Sequence, residues 1–213
     1  MVHAAVLAAP ASRSRRFDGR RLRSERTRQL IIEAYLELLA QNVRTPTASQ
    51  IAAQAGYSVR SIFERFTDLG ALGLAATDHA IAIGQAEAAP RDVDGDRPTR
   101  IRSHVKTRAL ACEKWLPLWR AMIETQEQLA ALKARVRLVR QANLERLRLM
   151  YGPELSTLPE AERGQLLFAL GALTSFESWH QMRDDYGLTM EAAQEVWRAA
   201  IDRMLPIVPK APQ

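Results

Sequence analysis

The stretch TASQIAAQAGYSVRSIFERF, Thr47 to Phe66, decides how this chain is read. Thr47 and Gln50 open it at the spacing of a capping box, in which the threonine hydroxyl accepts from the Gln50 amide and the glutamine side chain reaches back. Ile51, Ala52 and Ala55 then fall on one inward face. Gly56 stops this helix after about two turns, because glycine takes a positive φ without the steric cost of a Cβ. Ser58 caps the next helix, which carries Ile62, Phe63 and Phe66. Two short helices joined by a tight glycine turn, with small Ala52 where they approach, form a helix-turn-helix. Upstream, between Ser24 and about Ala40, Ile31, Ala34, Tyr35, Leu38 and Leu39 recur at three- and four-residue steps among Arg28, Glu33 and Glu37. That spacing predicts an amphipathic helix, ended by Asn42 to Pro46.

The IAxxAGYS core beginning at Ile51 and the SIFxxF continuation to Phe66, followed by Asp68 and by Leu72 in a new helix, resemble the DNA-binding segment of TetR-family transcriptional regulators over residues 24 to 84. The resemblance implies a homodimer whose N-terminal domains read a palindromic operator while the C-terminal domains dimerise and bind a small effector. This chain departs from the family pattern at Phe63, usually tyrosine, and at Leu69, usually lysine. Both family residues touch phosphates, so two contacts that position the protein on DNA are missing. Arg60, Arg65 and an arginine-rich arm supply replacement charge.

The candidate DNA-binding residues are Thr47, Ser49, Tyr57, Val59, Arg60, Ser61, Phe63 and Arg65. Arg60 suits a bidentate pair with a guanine edge, Val59 a thymine methyl, and Ser61 a base or a phosphate. Thr47 and Ser49 are placed for phosphates, and Tyr57 straddles the turn with its hydroxyl free for one. The alternative for Arg60 and Arg65 is a solvated helix surface.

Composition agrees with an all-α fold. Alanine and leucine supply 34 and 26 of the 213 residues, while Gly and Pro number 10 each, so helix formers dominate and turn residues are scarce. No stretch approaches the roughly 18 apolar residues needed to span a bilayer, and the opening MVHAAVLAAPA lacks the basic leader of a secretory signal. The chain therefore reads as cytoplasmic, with no membrane partner. Eight arginines stand in the first thirty residues against Asp18 and Glu25, so the net charge of +6 resides at that end. Such an arm beside a folded domain suits phosphates or a minor groove.

Three regions follow from this reading: a flexible basic arm over 1–23, a helix-turn-helix domain over 24–84 with its motif at 47–66, and a helical effector-binding and dimerisation domain over 85–213. A long helix runs from Asp68 to about Gln85, and the proline- and aspartate-rich segment 86–98 is the clearest linker. Beyond it, helices are predicted over about 99–115, from Pro117, and over about 126–151. Another, capped by Thr157 with Glu160, runs to Arg183, and a last one is capped by Thr189. The two final helices look like half of an intersubunit four-helix bundle, which places Trp179, Trp197 and Ile201 at the dimer interface; the alternative is that these faces are consumed within one subunit. A largely apolar effector pocket is assembled from Trp115, Trp119, Met122, Phe168 and Phe176, with His104 and Arg108 as polar anchors one turn apart.

Catalysis is not expected, and neither is a cofactor. His3, His79, His104 and His180 are scattered, Cys112 is the single cysteine, and there is no glycine-rich phosphate loop. Glu177 and His180 form a Glu-x-x-His pair with Asp184 one turn on, but a di-metal site needs a second such motif, so no metal is assigned. The sequence thus points to a DNA-binding repressor released by a small-molecule effector. The competing reading is a helical small-molecule- or metal-binding protein whose N-terminal domain mediates protein contacts.

Overall fold

The computed structural model describes residues 12–41, 45–87, 89–126 and 129–208. These form ten α-helices and one π turn, with no strand among the described residues. In chain order the helices are α1 Ser12–Gln41, α2 Ala48–Ala55, α3 Val59–Phe63, α4 Leu69–Glu87, α5 Arg97–Thr125, α6 Ala130–Met150, α7 Gly152–Leu155, α8 Glu160–Leu173, α9 Phe176–His180 and α10 Met190–Met204, with the π turn Gln181–Asp185 after α9. The all-α class read from composition is the class observed.

The helix-turn-helix head of the chain forms as its local signals direct. Thr47 Oγ1 accepts from the Gln50 amide at 3.3 Å, and the Thr47 amide donates to Gln50 Oε1 at 2.9 Å, closing the capping box. Gly56 ends α2 in the left-handed region at φ 73°, and Ser58 caps α3 by accepting from the Ser61 amide. Ile51, Ile62 and Phe66 are buried together with Ile31, Ile32, Tyr35 and Leu39 of α1. The Arg28 guanidinium lies over the Phe66 ring at 5.0 Å. Asp68 starts α4 by accepting from the Ala71 amide at 2.7 Å.

Four expectations are corrected. Helix α1 begins at Ser12, so the flexible arm expected through residue 23 is helical from Ser12 onward. Arginine loses little rotamer freedom in a helix and extends one that is already nucleated. Residues 1–11 lie outside the described residues.

Helix α5 continues through Pro117 instead of breaking there. An interior proline costs about 3 kcal/mol, but Cys112 before it and Leu118, Trp119 and Met122 after it are all buried on the core side. That packing keeps the helix continuous. At its start, Asp96 accepts from the Thr99 amide at 2.9 Å with Pro98 in the first turn.

The helix expected from Thr157 to Arg183 is two helices and a π turn. Thr157 does not cap it; its hydroxyl donates to the Glu154 carbonyl at 2.8 Å, and α8 starts at Glu160. The interruption falls at Thr174 and Ser175, and Ser175 caps α9 by accepting from the Ser178 amide at 3.0 Å. Three side-chain bonds hold the interruption. Arg108 Nε donates to the Thr174 carbonyl at 2.7 Å, Asn143 Nδ2 to the Thr174 hydroxyl at 3.2 Å, and that hydroxyl to the Leu170 carbonyl at 2.8 Å.

Trp179, Trp197 and Ile201, expected at the dimer interface, are each 0% exposed within the single chain. The two indoles pack at 4.6 Å between centroids, and Trp179 Nε1 donates to the Glu113 carboxylate at 3.0 Å. They are subunit core because α10 packs on α5, which spends that face intramolecularly. A second interior tie is the Arg100–Glu154 pair, buried on both sides, whose two nitrogen–oxygen bonds are 2.8 and 2.6 Å.

Candidate functional site

The face of α3 that would meet DNA is exposed and short. Val59 is 37% exposed, and the Arg60 side chain, 88% exposed, donates through Nε to Glu64 at 3.0 Å. An exposed ion pair of this kind contributes little, so Arg60 can exchange Glu64 for a base edge at small cost. Arg65 differs. Its Nη1 donates to the Ser61 carbonyl at 2.9 Å and its side chain is only 21% exposed, so it braces the end of α3. Thr47 and Ser49 are exposed at the start of α2, although the Thr47 hydroxyl also donates to Gln50 Oε1 at 2.9 Å. Ser61 Oγ lies 3.0 Å from Ser58 Oγ. Phe63 presents 47% of its surface beside these groups. The Tyr57 hydroxyl, read as free for a phosphate, accepts from Thr27 Oγ1 at 3.3 Å and ties the turn to α1.

Behind the head, α4, α5, α6 and the start of α9 enclose a cavity of about 160 Å³. Of the residues expected to line it, Arg108, Trp115, Trp119, Met122 and Phe176 do so. The wall also includes Thr77, Ala80, Ile81 and Gly84 of α4, Leu118 of α5, and Leu138, Asn143 and Arg146 of α6, none of which sequence reasoning had placed there. The one local signal for them is the small pair Ala80 and Gly84 at i, i+4, which lets α5 side chains approach α4. A Cβ at Gly84 would sit 3.7 Å from Trp115 Nε1.

Two of the expected lining residues lie elsewhere. His104 is buried beside the cavity, not in its wall; its Nδ1 is 2.8 Å from the Tyr151 hydroxyl. Burial, with the charges of Arg108 and Arg146, pushes the imidazole down to about 3, so it is neutral. Phe168, 66% exposed, lines a second space of about 360 Å³ that meets the first at Arg108, Trp119, Val139, Asn143 and Phe176.

The remaining reactive side chains are buried or engaged by neighbours. Burial pushes the Cys112 thiol up to about 11, away from the thiolate. Glu177 accepts from Arg140 at 3.0 Å and from Trp119 Nε1 at 3.3 Å, whereas His180 and Asp184 pair with each other and with Arg120. The Glu-x-x-His pair is thus divided between two arginines. Among the described residues no group of three or more His, Cys, Asp or Glu could hold a metal, and no helix is long and apolar enough to cross a membrane.

No family model and no curated protein matches the sequence. The fold does have solved counterparts. It is similar to a protein of Mesorhizobium loti assigned to the TetR family of transcriptional regulators, with a TM-score of 0.57 and 14% identity over 85% of this chain and 96% of that one. A protein of Pseudomonas aeruginosa assigned as a transcriptional regulator gives 0.59 and 20% identity over 84% and 90%. The multidrug binding protein EbrR, solved with imidazole, gives 0.54 and 14% over 86% and 97%. The chain has the fold of TetR-family regulators.

Proposed function

We propose that this protein is a sequence-specific DNA-binding transcriptional regulator, a homodimeric repressor released from a palindromic operator by a small-molecule effector. The observation that carries the reading is the double use of α4: it packs on α1 in the head and also walls the cavity through Thr77, Ala80, Ile81 and Gly84. Gln29 Nε2 of α1 lies 3.2 Å from His79 Nε2 of α4, and Arg135 of α6 clasps Asp78 of α4 at 2.9 Å. Filling the cavity therefore acts on the helix that carries the head. An effector that prefers a shifted α4 favours a conformer whose recognition helices no longer match a half-site spacing of about 34 to 36 Å.

The second copy docks on the outer faces of α8 and α10 in this reading. Phe168, Ala169 and Ala172 of α8 and Ala192 and Val196 of α10 form exposed stripes at helical spacing, with Phe168 and Val196 the large members. Small residues beside two large ones let helices approach closely around an apolar anchor.

Selection of bound sequences from a random DNA pool, followed by a salt titration on the selected site, tests the function. A palindromic consensus bound with a steep salt dependence is expected. Absence of any preferred sequence would favour the reading in which the head mediates protein contacts.

A further inference from the structure

Among the described residues, the cavity behind the reading head is lined by two arginines and no acid. Arg108 and Arg146 both line it, and among the described residues no aspartate or glutamate does. Elsewhere most buried and half-buried arginines have carboxylate partners, among them Arg100 with Glu154, Arg135 with Asp78 and Arg120 with Asp184, whereas Arg28 lies over the Phe66 ring. Arg108 spends its Nε on the Thr174 carbonyl and lies over the Phe176 ring at 4.5 Å. Among the described residues no carboxylate pairs with Arg108 or Arg146. Burial and the neighbouring Arg108 charge hold the Arg146 guanidinium below its ordinary range. Neighbouring cations drawn from water without a counter-charge are unfavourable, and the arrangement is relieved when an anion arrives.

Two further polar atoms at this cavity lack partners among the described residues. Trp115 Nε1 and Asn143 Oδ1 are buried and unpaired, and both side chains are part of the wall. They offer a donor and an acceptor besides the guanidinium groups. Apart from Thr77, Gln85 and Thr107, the rest of the wall is hydrocarbon and aromatic, with Leu118, Met122 and Ile81 suited to an apolar body.

We infer that this cavity takes an amphipathic organic anion, a carboxylate on an aromatic or aliphatic body, with the carboxylate between Arg108 and Arg146. The inference rests on the reading of the cavity as an effector site, and it names the ligand class. The charge that attracts a carboxylate also rejects a cation of the same shape, so a lipophilic amine is excluded.

The test is calorimetric titration of the full chain with three molecules of one shape: para-butylbenzoate, para-butylbenzamide and para-butylbenzylamine. The benzoate is expected to bind about tenfold or more tighter than the amide, the scale of a charge-assisted hydrogen bond, with no binding of the amine. Arg146→Gln is expected to remove the preference for the benzoate while leaving amide binding in place, and Arg146→Lys to restore part of it. The free Arg146→Gln protein is expected to melt no lower than the parent, since a like-charge contact is removed.

Equal or tighter binding of the amide or amine overturns the inference, as does no binding of the benzoate; these comparisons use the unaltered protein and need no variant to fold. Operator affinity is measured in parallel. Charge-selective binding without operator release would leave the ligand class standing and overturn the regulatory reading instead.

Discussion

The indole of Trp119 stacks on the ring of Phe176 with centroids 4.8 Å apart and planes inclined by 17°. Trp119 belongs to α5 and Phe176 is the first residue of α9, so the pair meets because the chain turns at Thr174. Arg108 lies over the Phe176 ring and Arg140 over the Trp119 ring, at 4.5 and 5.6 Å. The stack stands where the two cavities meet. Trp119→Ala is expected to join them and to cost about 3 to 5 kcal/mol, the scale for truncating a large core aromatic. Urea unfolding measures the cost, and admission of carboxylates bulkier than para-butylbenzoate measures the enlargement.

Among the described residues, Arg60 is held only by exposed Glu64. Arg60→Ala is expected to lower discrimination at one operator position by about 1 to 3 kcal/mol, because a bidentate base contact is lost. Glu64→Gln frees Arg60 and removes a negative charge near phosphates, so it should tighten binding on every sequence. Competition binding against single-base operator variants separates the two effects; a uniform loss from Arg60→Ala would make it a phosphate contact.

The neutral state of buried His104 makes stability depend on pH. Its folded pKa is depressed from 6.5 to about 3 by burial first and by Arg108 and Arg146 second. The unfolded chain takes up the proton that the folded chain refuses, so stability is full above 6.5 and falls as pH drops toward 3. The slope is about 1.4 kcal/mol per pH unit for one group. His104→Gln should flatten the fall between about pH 6.5 and about pH 5, where few carboxylates titrate. Urea midpoints across that range test it, and identical slopes in both proteins would refute it.

Core and proposed interface are separable on α8 and α10. Trp197→Ala removes a fully buried ring and should cost about 3 to 5 kcal/mol of folding stability. Phe168→Asp with Val196→Asp, both at exposed positions, should leave the fold intact and dissociate the proposed dimer. Sedimentation and circular dichroism together distinguish the outcomes; a folded double variant that stays dimeric places the interface elsewhere.

Six arginines precede Ser24. Each phosphate they neutralise adds about 0.9 to the slope of log affinity against log salt. Deleting residues 1–23 should therefore lower the slope by about 3 to 4 per dimer if two arginines per subunit reach phosphates. Restoring the family residues with Phe63→Tyr and Leu69→Lys should return part of the affinity. An unchanged slope on truncation would show that the segment makes no phosphate contact.

The helix-turn-helix was legible because its instructions are local. A capping box spans four residues, a left-handed glycine is a single-residue decision, and the burial of Ile51 and Ile62 follows from helical spacing. The same holds for Thr189, which caps α10 by accepting from the Ala192 amide at 3.2 Å. Local signals were insufficient wherever two faces competed for one partner. Trp179 and Trp197 carry the pattern of an apolar stripe whether it packs inside a subunit or against another copy, and only the approach of α10 to α5 assigned them to the interior. Thr157 had the right spacing to cap a helix, but the Glu154 carbonyl was nearer to hand. Pro117 reads as a terminator until the buried side chains on either side of it keep the helix continuous. The charge of the cavity was the least visible feature: Arg146 reads as one of many basic residues on α6, and its lack of a carboxylate partner is a property of four helices meeting. Periodicity records which residues avoid water, whereas the choice of what they avoid it with is made by contacts between residues far apart in the chain.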